Sequence, residues 1–409
     1  MSASKTGQES ATTALLPSRE TVSFGLALFS MYFGAGNLIF PMLIGSEAGA
    51  NNFYALLGLA CTAVLFPLLG LFAMMLFDGK QKPFFATLGA RAGFLTFFAI
   101  QLIVGPLYTT PRLFALMWGS FQQIVPTCPK WLFFTGAIAA IFYCTQKNSR
   151  MIQVLGLVLT PLLILSLAIL IGVGLYHPPA LQLTSLNATT SFQTGFSYGY
   201  NTMDLIASFL FAGALLPGLR ELARGSAAPS RERFIGREMM KAGSIAALLL
   251  VISYAGLSYL AAHYSYTLPA DLPKEQWLGA IAERLLGPFG ATVASAAVLL
   301  ACLTTAISLV SIFSTYLREE VLSSKVPQLP IVIATLLTAA FIGSHDFASI
   351  FSAFVPILNV IYPGLILLCL FNIAEKLELI PKKNHLLFRW PILASFAYGF
   401  WTEILAPNF

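Results

Sequence analysis

Four short stretches combine residue types that do not belong in an ordinary apolar helix. The first is Phe33-Gly34-Ala35-Gly36-Asn37, followed by Pro41. Glycine weakens a helix, and proline removes a backbone donor. The second is Gly195-Phe196-Ser197-Tyr198-Gly199-Tyr200-Asn201-Thr202-Met203-Asp204, which again mixes glycine with polar residues and ends on an acid. The third, Ala301-Cys302-Leu303-Thr304-Thr305-Ala306-Ile307-Ser308, sets two hydroxyls side by side. The fourth, Gly105-Pro106-Leu107-Tyr108-Thr109-Thr110-Pro111-Arg112, carries two prolines, a phenol and a guanidinium. A helix interrupted at such places exposes amides where its second half starts, which favour a carboxylate. It exposes carbonyls where its first half ends, which favour an ammonium group or a metal cation. An amino-acid zwitterion and a hard cation such as Na⁺ fit this combination together. The Thr304 and Thr305 hydroxyls would add to the oxygen shell, although threonines also bond back to the preceding turn of their own helix. Tyr108 is placed to reach a substrate carboxylate. Arg112 either pairs with an acid or extends its head toward the membrane surface.

The elements that must hold these residues are membrane helices. Hydrophobic residues make up 57% of the 409-residue chain and charged residues 10%, with a mean hydropathy of +0.79. A water-soluble globule carries about 25% charged residues, so this surface requires lipid. Eleven apolar stretches are long enough to cross the bilayer as helices: Thr21–Ala48, Asn52–Phe77, Arg91–Ser120, Lys130–Thr145, Arg150–Tyr176, Phe192–Leu219, Lys241–His263, Pro288–Leu317, Pro327–Gly343, Phe347–Phe371 and Leu386–Leu405. With a cytoplasmic N-terminus, Lys130, Lys274 and Arg284 fall outside and Arg112 falls within a span. The rest of the 23 basic residues then lie inside, as the positive-inside rule requires. The expectation is a multi-pass plasma (inner) membrane protein with its C-terminus outside. Met1–Glu20 is polar and reads as a cytoplasmic tail rather than a signal peptide. The basic segment Arg220–Met240 reads as a cytoplasmic loop touching anionic headgroups, with a regulatory site as the alternative.

The two interrupted stretches fall in the first and sixth spans, where a five-plus-five inverted repeat places them. Residues 21–176 would form the first repeat, 192–374 the second, and 386–409 an additional helix. Thr160-Pro161-Leu162-Leu163 in the fifth span and Val355-Pro356-Ile357-Leu358 in the tenth echo one another faintly. Backbone opened at bilayer depth survives only where it is buried in protein or lines a cavity. An acid there is costly and functional by default, which singles out Asp204. The break residues Gly34, Ala35, Gly36, Asn37, Tyr200, Thr202, Met203 and Asp204, together with Tyr108, are therefore the candidate substrate-binding set. Met31, Leu107, Tyr200 and Met203 are candidate apolar walls. The five cysteines are scattered, and His177, His263, His345 and His385 form no H-E-x-x-H. An enzyme is not expected, and neither is a resident cofactor or a nucleic-acid partner.

These residues carry a resemblance. Gly25-Leu-Ala-Leu-Phe29, Phe33-Gly-Ala-Gly-Asn-Leu-Ile-Phe-Pro41, Gly105-Pro106, Pro111-Arg112, Leu159-Thr-Pro-Leu-Leu163, Gly199-Tyr-Asn-Thr-Met-Asp204 and Leu300-Ala-Cys-Leu-Thr-Thr-Ala-Ile307 run in order through nearly the whole chain. In them the sequence resembles the branched-chain amino acid:cation symporters, the BrnQ-like family. The resemblance implies uptake of leucine, isoleucine and valine with Na⁺, or H⁺, by alternating access. It implies an all-α polytopic fold of the amino acid–polyamine–cation superfamily, with a LeuT-like 5+5 inverted repeat and discontinuous helices 1 and 6. It also implies that Gly34 and Gly36 cradle the substrate carboxylate, and that the Ser30 and Phe33 carbonyls hold the cation with Ala301, Thr304 and Thr305. The neurotransmitter symporters of that superfamily carry a gating arginine between the glycines and the proline. Leu38-Ile39-Phe40 holds none here, so that gate does not carry over. Asn37 matches an asparagine of their second cation site, whose other ligands are not traceable. Two readings stay open beside this one: another small solute on the same fold, and a channel.

Overall fold

The computed structural model describes residues 18–145, 160–176, 178–223, 228–380 and 385–405. The tail before Ser18, the first part of the expected fifth span (Arg150–Leu159), His177 and residues 406–409 lie outside the described residues.

The first span is two helices, α1 (Arg19–Tyr32) and α2 (Ala35–Ala48). Ser18 caps α1 by accepting the Thr21 N–H at 3.1 Å. The second span joins α3 (Asn52–Ala60) to α4 (Phe66–Leu76) through a π turn at Cys61–Leu65. After the short α5 (Gln81–Phe85), the third span runs from α6 (Ala90–Leu102) through a second π turn, Ile103–Leu107, into α7 (Thr109–Ile124). Pro106 and Pro111 each remove one rung of that ladder. Tyr108, at φ −135° and ψ −61°, is the residue where the helix opens. The fourth and fifth spans are α8 (Lys130–Thr145) and α9 (Thr160–Tyr176).

The sixth span is also split, into α10 (Ala188–Asn201) and α11 (Asp204–Leu222). The seventh is α12 (Ala228–Tyr264). The eighth is α13 (Trp277–Tyr316), bent at Gly287, where φ is 68°, just before Pro288. Then come α14 (Gln328–Gly343), α15 (Phe347–Lys376) and α16 (His385–Phe400). Six helical runs are apolar and long enough to cross a membrane, and α8, α9 and α14 are shorter apolar helices. With the split first span and α16, the described residues make eleven spans in the expected order.

The packing repeats itself with an offset of five spans. The seventh span packs on the first and the second on the sixth; the ninth packs on the third and the fourth on the eighth; the third and eighth pack on each other. When five is added to or subtracted from the span numbers, the first two contacts interchange, so do the next two, and the third–eighth contact maps onto itself, as two equivalent halves require. Lipid is as apolar as leucine, so these helices are drawn together by close packing rather than by exclusion of water. A Cβ added at Gly195 would stand 1.9 Å from the Ala55 carbonyl oxygen, and one at Gly199 would stand 1.7 Å from Thr62 Oγ1. Glycine at these places brings α10 against the second span.

Two expectations need adjustment. Gly195 and Gly199 lie within the continuous helix α10 and serve its packing; the sixth span opens later, at Thr202–Met203. The basic segment Arg220–Met240 is not a loop throughout, because α12 begins at Ala228 and carries Arg231, Arg233, Arg237 and Lys241 on helix. Glu238, nearly buried at 5% side-chain exposure, pairs there with Lys241 at 3.1 Å and Arg237 at 3.4 Å and accepts the Thr21 hydroxyl of α1.

Candidate functional site

The first span opens at Phe33 (ψ 83°) and Gly34 (φ −119°, ψ −155°). Ala35, Gly36 and Asn37, expected to be unwound with Gly34, instead form the first turn of α2. Their N–H groups precede the first rung of the new ladder, which is Leu38 N–H to Gly34 O at 3.2 Å. Asn37 folds back and accepts the Gly34 N–H through Oδ1 at 3.3 Å. Pro41 cannot donate, so the Asn37 carbonyl, four residues earlier, lacks its helical partner.

The sixth span opens at Met203, which sits in the left-handed region at φ 66° and ψ 17°. A side chain larger than glycine is strained there, and such strain gathers at functional sites. Asp204 starts α11 with its carboxylate buried. Oδ2 accepts Asn37 Nδ2 at 2.6 Å and the Tyr254 hydroxyl of α12 at 3.0 Å. These bonds tie the second halves of both split helices to the seventh span.

Between the breaks lies a cavity of about 20 Å³, lined by Gly34, Ala35, Gly36, Asn37, Thr202, Met203, Asp204 and Thr305 among others. That volume admits about one water molecule. Met31 also lines the cavity; Tyr108, Tyr200 and Leu107 do not. Tyr108 stands one layer back, where its hydroxyl accepts Arg112 Nη1 at 2.7 Å and its ring stacks on Phe354. Tyr200 packs on the Tyr362 ring, with centroids 4.9 Å apart. Phe40, whose ring lies against Gly36, stacks on Tyr198 at 5.7 Å and meets Phe351 at 5.4 Å, an aromatic layer behind the cavity lining.

A second polar cluster lies where α1 ends. The Thr304 and Thr305 hydroxyls both reach the Ser30 carbonyl at 3.3 Å and the Ala301 carbonyl at 2.9 and 3.1 Å. Four oxygens from two helices meet there, all from buried residues. Phe33 is buried at the end of the same turn. No group of three or more acidic, histidine or cysteine ligands occurs among the described residues, so a cation held here would meet hydroxyl and carbonyl oxygen, the donor set of a hard alkali ion.

Two tyrosines near the site were not selected from sequence, and Arg112, singled out there with its role open, is brought to the cavity. Tyr254 bonds Asp204. Tyr362 is fully buried beside Tyr200, with its hydroxyl unpartnered. Arg112 lines the cavity at 1% exposure. A charge inside a span is visible in the sequence, but which break it faces is not.

The whole chain has known relatives. It is 31% identical over 373 residues to the branched-chain amino acid permease BraB of Bacillus subtilis, covering 88% of this chain and 81% of that one. Among solved structures it is similar to Mhp1, a nucleobase-cation-symport-1 family transporter in a closed conformation with bromovinylhydantoin bound. That match has a TM-score of 0.62 and 11% identity, over 95% of this chain and 92% of that one. It is also similar to MhsT in complex with L-phenylalanine, with a TM-score of 0.58 and 14% identity, over 95% and 99%. At such identities these structures show the fold, which is LeuT-like. The family model described as branched-chain amino acid transport protein matches residues 17–405. A match of that kind over nearly the whole chain marks a transport protein rather than an enzyme, and the chain belongs to the branched-chain amino acid transport protein family.

Proposed function

We propose that this protein imports leucine, isoleucine and valine by alternating access, driven by a monovalent cation that binds between α1 and α13. The observation that carries the coupling is the oxygen cluster of Ser30 O, Ala301 O, Thr304 Oγ1 and Thr305 Oγ1, with neighbours no more than 3.3 Å apart. Na⁺ suits oxygens of this kind, and the Phe33 carbonyl would complete the shell. The substrate lies across the two breaks. Its carboxylate faces the amides of Ala35, Gly36 and Asn37 at the start of α2, and its ammonium group faces Asp204. Its aliphatic side chain lies against Met31 and Met203. The positive-inside count supports a cytoplasmic N-terminus, so the aromatic layer at Phe40, Tyr198 and Phe351 faces outward. H⁺ is the alternative coupling ion, favoured by Asp204 as a buried carboxylate between the breaks.

The test is uptake of labelled isoleucine into proteoliposomes under imposed Na⁺ or pH gradients, with the double variant Thr304→Ala/Thr305→Ala. Each lost contact between a neutral oxygen and a charge is worth about 1.5–3 kcal/mol. The Na⁺ concentration for half-maximal uptake should therefore rise by roughly tenfold or more. Unchanged Na⁺ dependence in the double variant refutes the ion site, and uptake driven by a pH gradient alone assigns the coupling to H⁺.

A further inference from the structure

Arg112 is one of the largest fully buried side chains of the protein, and Asp204 faces it only across the cavity that both line. Its guanidinium makes no ion pair among the described residues. Nη1 donates to the Tyr108 hydroxyl at 2.7 Å and to the Asn201 carbonyl at 3.1 Å, at the end of α10. Nε is buried without a partner. Three rings surround the cation, Tyr108 at 4.2 Å, Phe40 at 5.6 Å and Phe347 at 5.7 Å. Ring faces attract a cation more weakly than a contacting carboxylate does. A buried charge without such a contact is costly.

The orientation of the group indicates what completes it. Nε and Nη2 form one edge of the planar guanidinium, the edge that receives a carboxylate through two parallel hydrogen bonds. Nη1, on the other side, is already engaged with protein oxygens. Nη2 stands 3.3 Å from where a Cβ on Gly36 would lie, in the first turn of α2. Arg112 and Asp204 line the same cavity, yet no ion pair joins them. A guanidinium and an acid held apart on one cavity can together receive a molecule that carries both charges.

We propose that Arg112 is a substrate-binding residue whose Nε–Nη2 edge grips the carboxylate of the transported amino acid. This deepens the reading above, and it makes a free carboxylate a requirement of the substrate. Tyr108 and the Asn201 carbonyl are positioning groups that hold the guanidinium flat against Gly36. Because Asn201 closes α10, the same arginine reports carboxylate occupancy to the sixth-span break.

The experiment is competition for labelled leucine on the full-length reconstituted protein, using unlabelled leucine, leucinamide and 3-methylbutylamine. Wild type is expected to prefer leucine over both analogues by about 10- to 100-fold, the value of a charge-assisted pair. In Arg112→Gln, leucine affinity should fall by that factor while leucinamide affinity stays, so that the preference shrinks to about threefold or less. Arg112→Lys keeps the charge without the fork and should fall between the two. A role in packing alone would lower thermal stability and leave the ratio of leucine to leucinamide unmoved. A folded variant of either kind with the wild-type ratio, or a wild type that accepts leucinamide as readily as leucine, overturns the proposal. The Na⁺ dependence of leucine binding, measured in the same vesicles, tests the coupling separately: its absence alongside an intact ratio would sink the cation reading and support this one.

Discussion

Asp204→Asn separates the charge of the buried acid from its shape. In the wild type the carboxylate is 2% exposed and accepts Asn37 Nδ2 at 2.6 Å and the Tyr254 hydroxyl at 3.0 Å. Asparagine keeps one oxygen to accept the tyrosine hydroxyl, so the structural cost should stay near that of one neutral hydrogen bond, about 1 kcal/mol. Alanine would leave the Tyr254 hydroxyl and one Asn37 N–H without their acceptor in a dry site, at about 1–3 kcal/mol each, while the other Asn37 N–H keeps the Tyr254 oxygen. If the substrate ammonium group sits against this carboxylate, asparagine also loses a charge-assisted contact of roughly 1.5–3 kcal/mol. At about 1.4 kcal/mol per factor of ten, isoleucine affinity should fall by roughly 10- to 150-fold. Equilibrium binding of labelled isoleucine to purified protein measures the loss of affinity, and thermal unfolding without ligand measures the structural cost. Tyr254→Phe is the control, because it removes a hydrogen bond from the same carboxylate and leaves the charge. Isoleucine affinity within threefold of wild type in Asp204→Asn, or an equal loss in Tyr254→Phe, would refute the assignment of the ammonium group to Asp204.

Two further outcomes follow from contacts away from the substrate. Gly199→Ala should reduce stability by about 1–3 kcal/mol, read as a lower unfolding temperature, because its Cβ would stand 1.7 Å from Thr62 Oγ1 and 3.2 Å from the Ala63 nitrogen. Asp346→Ala should cost about 1 kcal/mol, since Asp346 caps α15 by accepting the Ser349 N–H at 2.8 Å and its hydroxyl at 2.7 Å. The Ser349 hydroxyl, and then its N–H, hold the Asp346 carboxyl below its ordinary value of 3.8. A depressed folded value makes the cap fully effective above 3.8 and lost as pH falls through the folded value. The stability gap between wild type and Asp346→Ala, measured by unfolding at stepped pH, should therefore close only below that point.

The architecture was legible because the bilayer allows so few solutions. Runs of apolar residues of fixed length and basic residues on alternate loops yield the spans, and glycine with asparagine or an acid at mid-depth marks which spans are split. Finer placement depended on facts that sequence carries weakly. Gly195 and Gly199 looked like part of the break, yet their four-residue spacing is that of a packing face, and only the approach of Ala55 and Thr62 distinguishes the two uses. The residue that turns the sixth span is Met203 at positive φ, a conformation no one would assign to methionine from its preferences. Tyr254 and Tyr362 belong to the seventh and tenth spans, where a tyrosine among apolar neighbours looks like any other, and their direction is set by how those helices dock. Arg112 was conspicuous as a charge, but its lack of an acid partner is a three-dimensional fact.

The closeness of the two clusters would give the proposed coupling a short physical route. Ser30 lies in the last turn of α1, Phe33 follows it, Gly34 is the break, and Ala35 to Asn37 begin α2, so the carbonyls proposed for the ion and the amides proposed for the substrate are separated by a single residue. A Cβ at Gly34 would stand 3.1 Å from Thr305 Oγ1, so the hydroxyl of the proposed ion site touches the hinge itself. A cation that draws Ser30 O, Thr304 and Thr305 together would fix the Gly34 backbone, and with it the direction in which the first turn of α2 points. Asn37 then carries that direction to Asp204 and Tyr254 through one side chain. Binding free energies are reciprocal, so whatever factor the cation adds to substrate affinity the substrate must add to cation affinity. With the ion bound to one side of a two-residue hinge and the substrate to the other, neither can order the hinge without helping its companion, and a separate relay between distant sites is unnecessary.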